Sequence, residues 1–119
     1  LLLGFIVSFI LIYLGSKNLV HPILLAWSIV VFVYEFLSIN AIRLKNNQNP
    51  FLAGKDHLHH VLIRKTNSIF FTNFLITSLN LILFIVGFLS FELFSPFLSF
   101  ILFLAMFIIF FIIRSKYTI

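Results

Sequence analysis

Long apolar runs, separated by short polar segments, are the feature that most limits how this chain can fold. Hydrophobic residues make up 62% of the 119 residues and charged residues only 9%. Soluble domains contain roughly 45–50% apolar residues and about 25% charged residues. A soluble domain of this length could not remove so much apolar surface from water, so the sequence predicts a membrane protein. The runs are predicted to be helical, because a helix satisfies its own backbone hydrogen bonds in lipid.

We predict an all-α polytopic membrane domain, residues 1–119, with about four transmembrane helices. The spans are expected at about residues 1–15, 21–42, 69–89 and 96–113. The first is shorter than the roughly 20 residues that a spanning helix needs, and it is expected to continue upstream of Leu1. Pro22 suits the first turn of the second span, and Ser95 with Pro96 is typical of the N-cap and first residue of the fourth.

The placement of lysine and arginine predicts the orientation in the membrane. Seven of the eight lie in the loop at about residues 43–68 or in the C-terminal tail, and Lys17 lies on the opposite side. Cytoplasmic segments of membrane proteins carry an excess of these residues, so the loop and the C-terminus are predicted to be cytoplasmic. Orientation also explains the net charge of +5, and no nucleic-acid partner is expected.

The loop at about 43–68 contains three of the four histidines, which are His57, His59 and His60. One interpretation is a phosphate site, because neutral imidazole donates hydrogen bonds and protonated imidazole adds positive charge near neutral pH. A second is a metal site, although zinc needs three or four ligands and His57 and His59 would point to different faces of a helix. A third is a solvated interfacial loop. The absence of cysteine excludes thiolate ligands, thiol nucleophiles and disulfides.

A short amphipathic helix is predicted within this loop, from His57 to about Lys65, with Asp56 as its cap. His57, His60 and Arg64 would share one face of it. The other face, which could lie on the membrane or on other helices, consists of Leu58, Val61, Leu62 and Lys65. Free backbone N–H groups and a partial positive charge at the start of the helix favour anions.

Several polar residues fall inside the predicted spans. Glu35 lies thirteen residues beyond Pro22, which places it near the cytoplasmic half of the bilayer. An intramembrane carboxylate is costly and is therefore a functional candidate, with a helix-end carboxylate that reaches the surface or pairs with a lysine as the alternative. Asn73, Thr77 and Asn80 form a stripe on the third span and are predicted to make hydrogen bonds between helices.

The histidine loop resembles a motif of one protein family. Pro50 and Phe51, followed by residues 56–60 (Asp-His-Leu-His-His), are similar to the S-P-F-x-x-D-R-x-H-x-H-H segment of bacterial polyprenyl-phosphate N-acetylhexosamine-1-phosphate transferases, relatives of phospho-N-acetylmuramoyl-pentapeptide translocase. A weaker match is at residues 1–5 (Leu-Leu-Leu-Gly-Phe), which resemble the segment that follows a G-D-x-G-S motif in the family. The chain is therefore expected to be the C-terminal part of a longer protein.

This resemblance implies transfer of a sugar-1-phosphate from a UDP-sugar to undecaprenyl or another polyprenyl phosphate, with release of UMP. The reaction would initiate synthesis of a cell-envelope glycan at the bacterial cytoplasmic membrane. The expected catalytic residues are His57, His59 and His60, the expected substrate-binding residues are Lys55, Asp56 and Arg64, and Glu35 falls where many members have an aspartate. The family needs Mg²⁺ held by upstream aspartates, so no metal ligand is expected in this chain, and alone it would be inactive. A homodimer is also implied.

The chain departs from the family motif at two positions. Gly54 stands where the family usually has aspartate, and Lys55 stands where it has arginine, which keeps the charge but loses the bidentate fork. Two alternatives to an active transferase follow. One is a degenerate, non-catalytic paralogue, and the other is a non-enzymatic membrane module whose HxHH loop binds a metal.

Overall fold

The structure, a computed structural model, describes residues 2–52 and 54–117. Within these residues all regular secondary structure is α-helical, which confirms the all-α part of the predicted fold class. The helices are α1 (Leu2–Ser16), α2 (Pro22–Ser28), α3 (Val30–Lys45), α4 (Leu58–Thr66), α5 (Ile69–Leu93) and α6 (Pro96–Lys116). Leu1, at the start of the first predicted span, and Ala53, in the loop, lie outside the described residues.

Two helices are long and apolar enough to cross a membrane, α5 with 25 residues and α6 with 21. Each reaches about 30 Å or more, the thickness of the hydrocarbon core of a bilayer. The Ser68 hydroxyl accepts from the backbone N–H of Phe71 at the start of α5, and the Ser95 hydroxyl accepts from Leu98 at the start of α6. Pro96 opens α6, so the predicted start of the last span is confirmed.

The prediction of four spans is not supported. Helix α1 has only 15 residues and reaches about 22 Å, which is short of a full crossing. The predicted span at 21–42 is two helices, α2 and α3, which meet at Ile29 with a bend of 80°. In the described part of the chain there are thus two candidate spans, or three if the bent pair forms one broken span.

Asn80 of α5 bridges the break between α2 and α3. Its side-chain Oδ1 accepts from the backbone N–H of Val31 at 3.1 Å, and its Nδ2 donates to the carbonyl of Ser28 at 2.9 Å. A continuous helix would have paired these backbone groups internally, and a break leaves them without helical partners. The hydrogen bond predicted between helices is therefore confirmed for Asn80, whereas Asn73 and Thr77 line a cleft described below.

Replacing Asn80 with leucine is expected to destabilise the protein by about 2–4 kcal/mol, because two backbone groups at the break lose their partners in an apolar setting. Thermal unfolding of the detergent-solubilised protein measures this loss. The matched control is Asn73→Leu, on the same helix at an exposed position. An equal loss of stability in both variants would show that Asn80 does not hold the break.

The core lies where α2 and α3 pack against α5 and α6. Trp27 is completely buried, and its indole N–H donates to the hydroxyl of Ser99 at 3.0 Å. The Tyr34 hydroxyl, also buried, donates to the carbonyl of Phe103 at 2.6 Å. These two bonds tie both halves of the bent pair to α6. They also fix the position of Glu35, the next residue along α3.

Candidate functional site

A buried arginine near the end of α3 anchors the loop that carries the histidines. Arg43 donates through Nη1 to the carbonyls of Pro50, at 3.1 Å, and Leu52, at 2.6 Å. Its Nε and Nη2 form a two-point salt bridge with the Asp56 carboxylate, at 3.0 and 2.6 Å. One side chain therefore holds the loop at three places and folds it back along α3.

Asp56 was predicted to cap α4, and that prediction is wrong. The N-cap of α4 is His57, and the Asp56 carboxylate is bound by Arg43 instead. The hydrogen bond from Arg43 lowers the pKa of Asp56, which keeps the carboxylate charged. A guanidinium binds a carboxylate through two parallel hydrogen bonds, which adds energy and fixes the geometry of the pair. Asp56 thus fixes the loop that positions the histidines.

The salt bridge between Arg43 and Asp56 requires glycine at position 54. A Cβ built on Gly54 would collide with the Arg43 guanidinium and with the Asp56 carboxylate. Glycine at this position therefore makes the room that the pair occupies.

A second buried arginine joins the loop to α3 and α6. Arg114, in the last turn of α6, donates from Nε to Glu35 at 3.0 Å and from Nη2 to the other carboxylate oxygen at 3.2 Å. Its Nη2 also donates to the carbonyl of Asp56. Glu35 in turn accepts from the backbone N–H of Leu58, the first residue of α4, at 2.7 Å. The Glu35 carboxylate therefore connects three segments, and its partner is an arginine rather than a lysine.

The three histidines lie together at the start of α4. The rings of His57 and His59 are nearly parallel, with centroids 5.9 Å apart, and those of His59 and His60 are 4.0 Å apart. The expectation that His57 and His59 point to different faces is wrong, because His57 is the extended N-cap residue and not part of the helix. Among the described residues, however, no group of three or more His, Cys, Asp or Glu side chains is placed to hold a metal ion.

The surroundings of the histidines favour neutral imidazole at His59. Partial removal from water lowers the pKa of His59, the neighbouring His60 and His57 lower it further, and Glu35 acts in the opposite direction. A neutral imidazole offers one N–H donor and one acceptor nitrogen at neutral pH. His59 can therefore donate a hydrogen bond to a phosphate oxygen without bearing a charge.

Two clefts border the loop, and they differ in chemical character. One, of about 520 Å³, lies between α3 and α5 and has mainly apolar walls. Its polar residues are Glu35, His57, His59, Asn73 and Thr77. The other, of about 760 Å³, is polar and is bordered by the carboxamides of residues 46–49 and by Arg43, Lys55 and Arg64. Consecutive residues, Asp56 and His57, line different clefts, so the loop is where the two environments meet.

Most of the predicted site residues are divided between these clefts, but His60 borders neither of them and instead lies against the ring of His59. His57 and His59 border the apolar-walled cleft, whereas Lys55, Asp56 and Arg64 border the polar one. Sequence reasoning missed Arg43 and Arg114, which counted there only as evidence of orientation. A signal for Arg114 was present, since a cation at the end of one apolar helix and a carboxylate within another are expected to pair.

Comparisons with known proteins do not extend this description. No protein-family model, curated protein or solved structure was found to match the chain. The family resemblance of the histidine loop stays a prediction from its motif.

Proposed function

We propose that this chain is part of a membrane enzyme that transfers a sugar-1-phosphate from a UDP-sugar to a polyprenyl phosphate, and that its histidine loop binds the phosphates. The observation that carries the proposal is the meeting of an apolar-walled cleft and a cation-lined cleft at Asp56 and His57. A reaction between a membrane lipid and a soluble anion needs these two environments side by side. The loop would face the bacterial cytoplasm, where nucleotide sugars are made.

The apolar-walled cleft suits the lipid substrate. Phe32, Phe36 and Ile76 provide walls for a hydrocarbon chain, and His57 and His59 stand beside them. Asn73 and Thr77 are exposed on a helix apolar enough to span a membrane, where polar side chains are expected to bind other polar groups. A lipid phosphate in this cleft would receive hydrogen bonds from imidazole, hydroxyl and carboxamide groups.

The polar cleft suits the soluble donor. Lys55 and Arg64 are exposed there and offer positive charge for a diphosphate. The carboxamides of residues 46–49 can both donate and accept hydrogen bonds, which suits the hydroxyl groups of a sugar. Arg43 also borders this cleft, but its guanidinium is engaged by Asp56. Lys55 and Arg64 are therefore the cations proposed to contact the diphosphate, whose sugar-bearing phosphate would reach the histidines of the loop.

In the proposed reaction an oxygen of the lipid phosphate attacks the phosphorus that carries the sugar. A new P–O bond forms, the P–O bond to the bridging oxygen breaks, and UMP leaves with that oxygen and its electron pair. Catalysis of phosphoryl transfer depends mainly on positioning and on stabilisation of negative charge. His57, His59 and His60 would donate hydrogen bonds to the phosphate oxygens as that charge shifts.

The Mg²⁺ that the resemblance implies does not fit the residues of this chain. Its carboxylates near the loop, Glu35 and Asp56, are each bound by an arginine. Any such ion would need ligands from aspartates outside this chain.

The His59→Ala variant tests whether the loop binds phosphate. With the 119-residue chain in lipid nanodiscs, inorganic pyrophosphate is expected to bind roughly 10-fold or more weakly to this variant, the loss of one hydrogen bond to a charged group. Calorimetric titration measures the affinity. The matched control is His21→Asn, at the fourth histidine, where asparagine preserves the helix cap of α2.

The same titration separates the alternatives. Tight Zn²⁺ binding that disappears in His59→Ala, without binding of pyrophosphate, would favour the metal-binding module. Binding of neither ligand by the unmodified chain would favour a non-catalytic paralogue. Equal pyrophosphate affinity in the unmodified chain and the His59→Ala variant would remove the histidine loop from the proposed mechanism.

A further inference from the structure

One face of α4 borders a groove of about 480 Å³ between α4, α5 and α6. This face consists of Val61, Leu62 and Lys65, together with Leu58, which also borders the apolar-walled cleft beside the histidines. The sequence left open whether this face lies on the membrane or on other helices. It packs on α5, and the groove keeps part of its apolar surface open.

The walls of this groove come from the two helices that are able to span a membrane. Ile76 and Leu79 of α5 and Phe110 and Ile113 of α6 line it, and its polar surface is small compared with its apolar surface. The volume lies within the range of about 300–1,000 Å³ typical of sites for small ligands. Since α5 and α6 would lie in the bilayer, a hydrocarbon chain is the available occupant that fits such walls.

A cation and an aromatic hydroxyl mark the polar end of the groove. The Lys65 ammonium lies 4.0 Å from the centroid of the Tyr117 ring, and both side chains are exposed. Arg114 borders the same groove, but its guanidinium binds Glu35. Among the described residues that line the groove there is no carboxylate. Tyrosine is enriched at membrane interfaces, so this end is placed where lipid headgroups lie.

We propose that the groove binds an acyl chain of an anionic phospholipid, with the lipid phosphate on the Lys65 ammonium and the Tyr117 hydroxyl. An anionic headgroup is favoured over a zwitterionic one, because a choline group would bring a second positive charge close to Lys65. Bound in this way, the lipid would fill the space between α4 and α6 and would hold the helix that carries the histidines. The proposal needs no nucleotide or polyprenyl substrate and is independent of the proposed reaction.

Native mass spectrometry of the whole chain, released from detergent with added lipid, tests the proposal. Palmitoyl-oleoyl-phosphatidylglycerol is expected to be retained, and the phosphatidylcholine with the same chains is expected to be retained about 5-fold less, as for one lysine near an anionic headgroup. Lys65→Gln should remove this preference. Leu79→Trp, which fills the groove, should reduce retention of phosphatidylglycerol itself by a similar factor.

Two matched controls separate a specific site from general lipid contact. Lys17→Gln removes an exposed cation outside the groove, and Leu81→Trp adds an indole at an exposed position of α5 outside the groove. Both should bind phosphatidylglycerol like the unmodified chain. The proposal is overturned if the unmodified chain retains both lipids equally, or if Leu79→Trp and Leu81→Trp behave alike. The comparison of lipids on the unmodified chain decides even if a variant folds poorly.

Discussion

An Arg114→Gln variant is expected to lose roughly 3–5 kcal/mol of stability, the cost of removing one partner of a buried ion pair. The Arg114 and Glu35 side chains are only 2% and 12% exposed, so water would compensate little for the lost charge. The substitution also removes the hydrogen bond to the carbonyl of Asp56. The histidine loop should therefore become mobile, and phosphate binding should weaken with it.

Thermal unfolding and loop mobility measure these two effects. The chain has no cysteine, so a nitroxide on a single cysteine in place of the exposed Leu52 would report on the loop alone. The matched control is Lys116→Gln, which removes an exposed cation from the same turn of α6. Equal stability and equal nitroxide mobility in Arg114→Gln and Lys116→Gln would show that the buried pair does not hold the loop.

A double-mutant cycle distinguishes the ion pair from its individual parts. Glu35→Gln removes the charge but keeps a carbonyl oxygen that can accept from the N–H of Leu58. Combined with Arg114→Gln, it leaves no buried charge unpaired, so the double variant should lose less stability than the sum of the single variants. Additive losses would mean that the two side chains act separately.

Much of the fold follows from local sequence, because the signals for α5 and α6 are local. Each is a long apolar run that begins with a serine cap, and Pro96 marks the start of α6. The break at Ile29 has no such signal, since the apolar run continues through it. Asn80, which holds the break, lies 49 residues from Val31 along the chain, so only the tertiary structure shows what it bonds.

The candidate site, too, was predictable from local sequence only in part. The sequence showed three histidines within four residues, but their spacing predicted that His57 and His59 point to different faces, whereas their rings lie nearly parallel. Asp56 was predicted to cap α4, and this prediction was wrong. A carboxylate just before a helix can either cap the helix or bind a cation that is distant in sequence, and here Asp56 binds Arg43. Two of the seven cations on the predicted cytoplasmic side, Arg43 and Arg114, are buried. Their burial depends on the packing of α3, α6 and the loop, which the spacing of residues along the sequence does not reveal.

Gly87 is the position where added volume is expected to cause the second large effect. A Cβ on Gly87 would collide with the ring of Trp27, which is completely buried. The carbonyl of Gly87 also accepts from the hydroxyls of Ser90, at 2.7 Å, and Ser99, at 3.3 Å. Because Ser99 in turn accepts from the Trp27 indole, the ring is held on one side by α6 and has no room to move away from α5.

Gly87→Leu is therefore expected to cost about 3 kcal/mol or more, at or above the usual range for overpacking a core. Gly87→Ala should cost less, because the gain of about 1 kcal/mol in helix propensity offsets part of a smaller clash. Trp27 is the only tryptophan, so its emission should shift to longer wavelength as the ring leaves the core. Gly4→Leu is the matched control, since nothing lies within 4 Å of a Cβ at that position. If Gly87→Leu left both the emission maximum and the unfolding temperature equal to those of Gly4→Leu, the close packing of α2 on α5 would be refuted.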